Sequence, residues 1–205
     1  RENLRIREHT KEELSHYSVA TSDIEYKYPW GWDEMWGIAD RTDFDLRQHQ
    51  EYSKQSMEYY DTASEERFIP YCIEPSVGVE RLFFAFMAEA LVEEELEKDS
   101  RILCRLHPVL APIKAAILPL SKQLAEHALP LFDLCSKSFA TDYDETGSIG
   151  KRYRRQDAIG TPFCITFDFD SLQDQSVTIR QRDSMEQTRV KIEELVSYIQ
   201  ERITL

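Results

Sequence analysis

Apolar and polar residues change their spacing within the stretch 68–89. The stretch opens with an apolar run from Phe68 to Ile73, which is short enough for a buried strand. Pro75 cannot donate a hydrogen bond to a sheet ladder, so the strand is predicted to end there. After Gly78 the apolar residues recur at helical spacing, at Val79, Leu82, Phe83, Phe86, Met87 and Ala90. The pattern therefore predicts a buried strand, a turn and a helix.

The rest of the chain divides into two kinds of pattern. Residues 23–36 are rich in aromatic residues with Pro29 and Gly31 in the middle, which predicts two strands separated by a turn. In the second half, the apolar spacing predicts strands over residues 113–120, 163–169 and 176–182, and helices over 124–139 and 192–203. Strands that alternate with helices indicate an α/β layer structure for this half.

Charge separates the same two halves. The 205 residues carry a net charge of −13, which argues against a nucleic-acid surface along the whole chain. Residues 1–99 hold 11 Lys and Arg against 24 Asp and Glu, whereas residues 100–205 hold 14 of each. We therefore predict one domain over residues 1–99 and another over 100–205. No apolar run approaches the roughly 18 residues of a membrane-spanning helix, so no membrane contact is expected.

The four cysteines are spread widely and lie in apolar runs, at Cys72, Cys104, Cys135 and Cys164. Zinc sites need closely spaced pairs, so buried free thiols in a reducing cytoplasm are the favoured interpretation. The chain begins at Arg1 in the middle of a pattern and without an initiator Met. We expect it to be a piece of a longer protein.

Chemistry-bearing residues gather where the predicted strand meets the helix. Glu74, Ser76 and Gly78 precede the helix, and Arg81 lies on its first turn. Unpaired N–H groups and the helix dipole favour an anion there, and an arginine can hold a phosphate or stack on a purine. The alternative is an ordinary strand-turn-helix with a surface salt bridge. The spacing alone leaves both open.

The full string, Glu74-Pro-Ser-Val-Gly-Val-Glu-Arg81 before an apolar helix, resembles motif 3 of class II aminoacyl-tRNA synthetases, in the form typical of homodimeric glycyl-tRNA synthetases. The resemblance implies an α+β and α/β fold: the C-terminal part of an antiparallel-sheet catalytic domain, then an α/β anticodon-binding domain. It implies glycine binding by Glu74, Pro75 and Ser76. It implies ATP binding by Gly78, Val79, Glu80 and Arg81.

A second string carries the same resemblance, Glu34-Met35 followed by Gly37-Ile-Ala-Asp-Arg-Thr-Asp-Phe-Asp-Leu46. It implies that Glu34 and Met35 contact ATP, and that Glu34 holds the Mg²⁺ that bridges the phosphates, as a hard oxygen ligand should. Three aspartates follow within this string, at positions 40, 43 and 45. They could bind a metal, but helix capping and ion pairing with neighbouring arginines are favoured.

A basic cluster in the second half forms the other candidate site. Its cations are Lys151, Arg152, Arg154 and Arg155, with Arg180 and Arg182 on a later strand. Cations beside two glycines suit contacts with a nucleic-acid backbone. The alternatives are a solvated helix face and pairing with Asp142, Asp144, Glu145 and Asp157. The strings GSIGKRYRRQDAIGTPF and TIRQRDSMEQTR resemble the anticodon-binding domain of glycyl-, threonyl-, prolyl- and histidyl-tRNA synthetases, which implies that the six cations contact the anticodon.

The resemblance implies an ATP-dependent ligase in the cytoplasm. Glycine would be activated to glycyl-adenylate and transferred to the 3′ end of glycine tRNA, by an enzyme that is a homodimer at full length. The 205 residues contain no counterpart of motifs 1 and 2, so we expect this chain to be inactive alone. The alternatives are a synthetase-like accessory or tRNA-binding protein without catalysis, and an unrelated α/β interaction module.

Overall fold

A computed structural model describes residues 2–96 and 100–204 of the chain. Contacts between backbone positions divide it into two compact units, Arg1–Ala85 and Phe86–Leu205. The predicted domain boundary after Asp99 lies outside the described residues and stays a prediction. Within the described ranges, no helix has both the length and the apolar character that crossing a membrane requires.

The first unit is built on an antiparallel sheet of four strands in the order β1-β2-β3-β6. Its elements are β1 Leu4–Glu8, β2 Ala20–Tyr28, β3 Gly31–Asp40, α1 Phe44–Ser53, β4 Tyr59–Asp61, β5 Glu66–Phe68 and β6 Ile73–Val77, followed by α2 Val79–Ala90. β2 and β3 form the predicted pair of strands with a turn between them, and β4 and β5 form a small separate hairpin. The predicted helix after Gly78 is confirmed as α2.

The two faces of this sheet differ because side chains alternate along each strand. On β2, Tyr26 and Tyr28 point to one face and join a buried cluster with Met35 and Ala85. α2 contributes Ala85 to this cluster and packs Leu82 against it. Asp23 and Glu25 point to the opposite face. The sheet therefore presents one apolar face that α2 covers and one charged face that carries Asp23 and Glu25.

The predicted buried strand over residues 68–73 is wrong in both position and burial. β5 ends at Phe68, and β6 begins at Ile73 and continues through Pro75 to Val77. Phe68 and Ile73 are 48% and 60% exposed. The strand tolerates Pro75 because β6 lies at the edge of the sheet, where a missing N–H need not break a ladder.

The second unit is a mixed five-stranded sheet with helices on both faces, as the α/β prediction required. The strands run in the order β10-β9-β11-β12-β13. β9, β10 and β11 are parallel to one another, β12 is antiparallel to β11, and β13 is antiparallel to β12. Its elements are β7 Leu91–Glu95, β8 Ser100–Cys104, β9 Ala115–Pro119, α3 Ala125–Ser136, β10 Thr141–Tyr143, α4 Ile149–Ile159, β11 Phe163–Phe167, α5 Ser171–Asp174, β12 Ser176–Gln181, β13 Gln187–Lys191 and α6 Leu195–Gln200.

Alternate residues of β9 and β11 contribute side chains to two separate hydrophobic cores, one on each face of the sheet. Ile117 and Ile165 belong to the larger core, which α3 and α6 cover. Leu118 and Cys164 belong to the smaller core on the other face, against which Tyr153 of α4 packs. The basic residues of α4 therefore lie on the sheet face opposite α3 and α6. The β7–β8 hairpin, which the sequence pattern did not predict, packs beside α4.

Candidate substrate and nucleic-acid sites

The candidate glycine residues lie on the edge strand of the first unit. Glu74 and Ser76 point to the same face of β6 because they are two residues apart, and Pro75 points to the other face. Their partners across the ladder on β3 are Ala39 and Gly37. Because both partners are small, they leave a shallow floor beside the carboxylate and the hydroxyl.

Gly37 also brings the candidate magnesium ligand onto this face. A Cβ at Gly37 would lie 3.1 Å from Oε1 of Glu34 and 3.6 Å from Oδ1 of Asp23. A larger residue would push at least one of these carboxylates away. The two carboxylates supply hard oxygen atoms at one place, and the Glu34 side chain is exposed. Among the described residues, no group of three or more His, Cys, Asp or Glu could hold a metal ion unaided.

Arg41 lies beside Glu74 at the candidate site, a position that the sequence pattern does not predict. Its Nη1 donates to Oε2 of Glu74 at 2.5 Å, and Nε and Nη2 donate to Asp45 at 2.6 and 2.8 Å. The guanidinium lies over the ring of Tyr17, 4.0 Å from its centroid. Hydrogen bonds with Asp45 and Glu74 raise the pKa of Arg41, so it is a permanent cation beside the Glu74 carboxylate. Arg41 belongs to the GIAxRTDFDL string, in which the sequence pattern predicts only ion pairing with the aspartates.

The candidate ATP residues meet where α2 begins beside β3. Arg81 donates to Oδ1 of Asp33 at 3.0 Å and to the backbone oxygen of Glu34. The N–H of Gly78 donates to the backbone oxygen of Met35 at 3.3 Å. The indole of Trp30, the Arg81 guanidinium and the N–H of Glu34 together lower the pKa of Asp33. The fold thus brings Glu34, Met35, Gly78 and Arg81 together.

Three of the predicted ATP-binding residues, Met35, Val79 and Glu80, differ from the others in where their side chains lie. The Met35 side chain is buried in the apolar cluster, so only its backbone is available to a ligand. Val79 is 69% exposed and Glu80 is also exposed, both on the first turn of α2. These two residues flank Arg81 without a described side-chain contact to the rest of the set.

The basic cluster of the second unit surrounds a hollow beside the start of α4. The hollow has a volume of about 440 Å³ and is lined by Ser148, Gly150, Lys151, Tyr153, Arg154, Arg180 and Met185. Lys151 and Arg155 are exposed and Arg154 is partly exposed. Arg155 lies on the same helix outside the lining. Cations and a helix N-terminus on one surface form a site suited to a polyanion.

The other three predicted contacts are buried and bonded within the protein. Arg152, Arg180 and Arg182 are 3%, 4% and 2% exposed. Arg152 donates to the backbone oxygens of Pro119 and Gly147 at 2.6 and 3.0 Å. Arg182 donates to the backbone oxygen of Gly160 at 2.9 Å. Their contact with tRNA remains a prediction, and the geometry gives them a structural role first.

The alternative of pairing with nearby acids holds for part of the cluster. Arg155 donates to Oδ2 of Asp144 at 2.9 and 2.5 Å. Burial favours a raised pKa for Asp144, but the N–H of Thr146 and the Arg155 guanidinium outweigh burial and lower it. Arg180 binds Asp157 at 2.8 and 3.0 Å. Lys151 and Arg154 are therefore the cations best placed to meet a ligand at the hollow.

Comparison with known proteins gives these sites a context. A family described as "Anticodon binding domain" matches residues 114–202. The chain is 61% identical over 203 residues to a glycine–tRNA ligase of Alkaliphilus oremlandii, and 59% identical over 201 residues to one of Acetivibrio thermocellus. The chain is a homologue of glycine–tRNA ligases. The sequence-based recognition and the anticodon-binding domain are confirmed.

These matches cover almost all of this chain but only part of each relative. Each of the two alignments spans 98% of the chain and 44% of the relative. A glycine–tRNA ligase of Bacillus anthracis, 58% identical over 202 residues, gives the same shares. The chain therefore spans less than half the length of the curated relatives it matches.

The buried cysteines agree with the sequence prediction. All four thiols are free, and Cys104, Cys135 and Cys164 are buried while Cys72 is half-buried. Burial raises the pKa of Cys135 to about 11 and that of Cys164 to about 12. These two thiols are therefore protonated at neutral pH and act as core side chains. The aspartates at 43 and 45 pair with Arg47 and Arg41, as the favoured interpretation required.

Proposed function

We propose that this chain is the C-terminal part of a glycine–tRNA ligase, which activates glycine with ATP to glycyl-adenylate and transfers the glycyl group to the 3′ end of glycine tRNA. One observation carries the proposal. Glu74 and Arg41 place a carboxylate and a guanidinium side by side at the edge of a floor made by Gly37 and Ala39. Opposite charges beside small residues suit the smallest zwitterionic amino acid.

Each group has a role in holding glycine. Glu74 accepts hydrogen bonds from the substrate ammonium, and Arg41 stabilises the substrate carboxylate. Ser76, two residues further on the same strand face, limits the space beside the α-carbon. Exclusion by shape suits this substrate because the walls need only reject a methyl group, whereas added affinity for one methyl group is worth only about 1–3 kcal/mol.

ATP binds beside this pocket, at the junction of β3 and α2. Arg81 holds the nucleotide, and Gly78 lets the backbone approach it. The carboxylates of Glu34 and Asp23 fit Mg²⁺, which when bound would offset the negative charge of the phosphates. The chemistry needs no protein nucleophile, because the glycine carboxylate itself attacks the α-phosphate of ATP, breaks its bond to the β-phosphate and releases pyrophosphate. The residues of this chain contribute by positioning and by charge stabilisation.

The exposed cations of α4 bind the anticodon arm of glycine tRNA. Lys151, Arg154 and Arg155 act locally, because residues 100–205 have no net charge. Phosphate contacts of this kind release counterions, so binding weakens as the salt concentration rises. We further propose that the full-length enzyme is a homodimer. We also propose that it lies in the cytoplasm, in keeping with the free thiols of this chain.

Pyrophosphate exchange distinguishes the ligase from an accessory protein. The full-length protein should catalyse glycine-dependent exchange between ATP and pyrophosphate and should give background exchange with alanine or serine. Residues 1–205 alone should give background exchange with glycine as well, since no counterpart of motif 2 is present. Background exchange by the full-length protein with glycine would favour the accessory protein, and robust exchange by residues 1–205 would contradict the assignment of a partial site.

Anticodon recognition has a separate test. The chain should bind glycine tRNA more tightly than a copy with a changed anticodon, and Arg154→Ala with Arg155→Ala should weaken binding and narrow that difference. Equal binding of both tRNAs by the unmodified chain would leave only a nonspecific basic surface.

A further inference from the structure

One fully buried carboxylate, that of Asp157, binds the arginines behind the hollow. The side chain of Asp157, in the last turn of α4, is 0% exposed. Its Oδ1 accepts a hydrogen bond from Arg180 at 2.8 Å, and its Oδ2 accepts from Arg180 and Arg101, both at 3.0 Å. Nη1 of Arg154 lies 3.8 Å from the same oxygen. Asp157 thus joins three arginines from β8, β12 and α4.

Arg101 extends this connection to the loop that follows β12. Its side chain is fully buried and donates to the backbone oxygens of Arg182 and Asp183 at 2.9 and 3.2 Å. Its Nε also donates to Glu94 of β7. One guanidinium therefore ties the β7–β8 hairpin to α4 and to the β12–β13 loop.

The same loop and helix form the walls of the hollow. Met185 belongs to the loop that Arg101 holds, and Arg154 belongs to the helix that Asp157 anchors. Arg180 lies between them, with its guanidinium 4.8 Å from the centroid of the Tyr153 ring. Burial opposes the charge of Arg180, but hydrogen bonding to Asp157 outweighs burial and raises its pKa. Arg101 and Asp157 thus hold both walls of the hollow. Arg101 binds the loop that contains Met185, and Asp157 lies in the helix that contains Arg154 and binds Arg180.

We propose that Arg101 and Asp157 are positioning residues for tRNA recognition, which hold Arg154, Arg180 and Met185 in the arrangement that distinguishes the cognate anticodon. The inference rests on the proposed function of the basic cluster. Neither residue reaches the surface, so neither touches tRNA. They act by fixing the walls of the hollow, and the exposed Lys151 and Arg155 supply charge attraction independently of them.

Because positioning and charge attraction come from different residues, substitution of Arg101 should change one property of tRNA binding and leave the other unchanged. In the chain carrying Arg101→Gln, the loop and α4 lose a shared anchor while every surface cation is retained. The ratio of dissociation constants for anticodon-changed and unmodified glycine tRNA should fall by roughly threefold or more, a range typical of residues that act without touching the ligand. The slope of affinity against salt concentration should stay unchanged, since the number of phosphate contacts is the same.

A matched control separates positioning from loss of stability. Ile199→Val removes one methylene from the core on the opposite sheet face, far from the hollow in the fold. It should lower the melting temperature and leave the ratio unchanged. Arg101→Lys keeps the buried charge but loses the fork that serves several acceptors, so it should fold and give an intermediate ratio.

The results distinguish this inference from the proposed function. If the unmodified chain binds both tRNAs equally, the proposed anticodon recognition fails. If the unmodified chain discriminates but Arg101→Gln and Arg101→Lys keep its full ratio, only the positioning role fails. Should Arg101→Gln not fold, the lysine variant decides alone: a lowered ratio supports the inference, and an unchanged ratio overturns it.

Discussion

Arginines have different surroundings in the two units of this protein. In the first unit, Arg41 and Arg81 are partly exposed and pair with carboxylates at the candidate substrate site. In the second unit, Arg101, Arg180 and Arg182 lie inside the protein and bind backbone oxygens or the buried Asp157. The arginines of this chain therefore fall into two groups, exposed and buried. Burial distinguishes the arginines that can contact a ligand from those that stabilise the fold.

The hydrophobic cores of the two units also differ, and the second unit has the larger one. Among the residues that the structure describes, the buried cluster of the first unit has 4 members, whereas one cluster of the second unit has 15. Substitutions of buried groups in the second unit should therefore appear mainly as lost stability. Substitutions on the charged sheet face of the first unit should appear mainly as lost activity.

The largest expected effect tests the buried population. Arg180→Ala removes the bidentate partner of the buried Asp157, which keeps its hydrogen bond from Arg101. Loss of one member of a buried ion pair typically costs about 3–5 kcal/mol of unfolding free energy, and the remaining Arg101 puts the expected loss near the lower end of that range. Urea unfolding of the chain measures this loss. The matched control is Arg155→Ala, because the Arg155 side chain is 47% exposed where it pairs with Asp144, so its loss should cost no more than about 1 kcal/mol. Equal losses for the two variants would remove the distinction between the populations.

Glu74→Gln tests the exposed site of the first unit. It replaces the proposed charged partner of the substrate ammonium by a neutral one, a change worth about 1.5–3 kcal/mol, so kcat/KM for glycine in the proposed full-length enzyme should fall at least roughly tenfold. Stability should change little. Asp45→Asn is the control, because it contacts the same Arg41 without lining the floor. Unchanged glycine kinetics in Glu74→Gln would show that this residue has no role in binding glycine.

Gly160→Ala tests the contact between α4 and the β7–β8 hairpin. Gly160 ends α4 with a φ of +89°, and a Cβ there would lie 2.9 Å from the backbone oxygen of Cys104. Strain at such a position costs about 1–3 kcal/mol, measurable as a lower melting temperature. Gly150→Ala, within the same helix and with open space around its Cβ, should be neutral or slightly stabilising. Similar effects at the two glycines would contradict the close approach.

The smallest expected effect is a dependence on pH. Burial acts to raise the pKa of Asp168, but the Arg189 guanidinium and the Ser171 hydroxyl outweigh it and lower the pKa below the ordinary 3.8. The pair therefore stabilises the fold above that pH and loses this contribution as the pH falls through the lowered value. Arg189→Gln should lower stability by less than about 1 kcal/mol near neutral pH, and its difference from the unmodified chain should shrink below pH 4 or so. A difference that grows in acid would reverse the assigned sign.

Local patterns predicted what depends on local geometry. The helical spacing after Gly78 predicted α2, which the structure confirms. The strand through Pro75 was missed because its position at the sheet edge is a property of the whole sheet. The β7–β8 hairpin was missed because its acidic run resembles a linker.

The roles of the buried arginines depend on contacts distant in sequence. Arg180 meets Asp157 across 23 positions, and Arg101 meets it across 56. A pattern of neighbouring residues cannot show such pairs, so the basic strings predict a nucleic-acid surface without separating its exposed arginines from its buried ones. Arg41 was overlooked for the same reason, since its partner Glu74 lies 33 positions away.

We expect the exposed cations of α4 to contact tRNA and the buried arginines to maintain the structure. Modification of the chain by phenylglyoxal, read at each arginine by mass spectrometry with and without glycine tRNA, tests it most directly. Arg154 and Arg155 should react in the free chain and be protected by tRNA, whereas Arg180 and Arg182 should stay unreactive in both states. Ready modification of Arg182 in the free chain, or unchanged reactivity of Arg154 and Arg155 in the complex, would contradict the account.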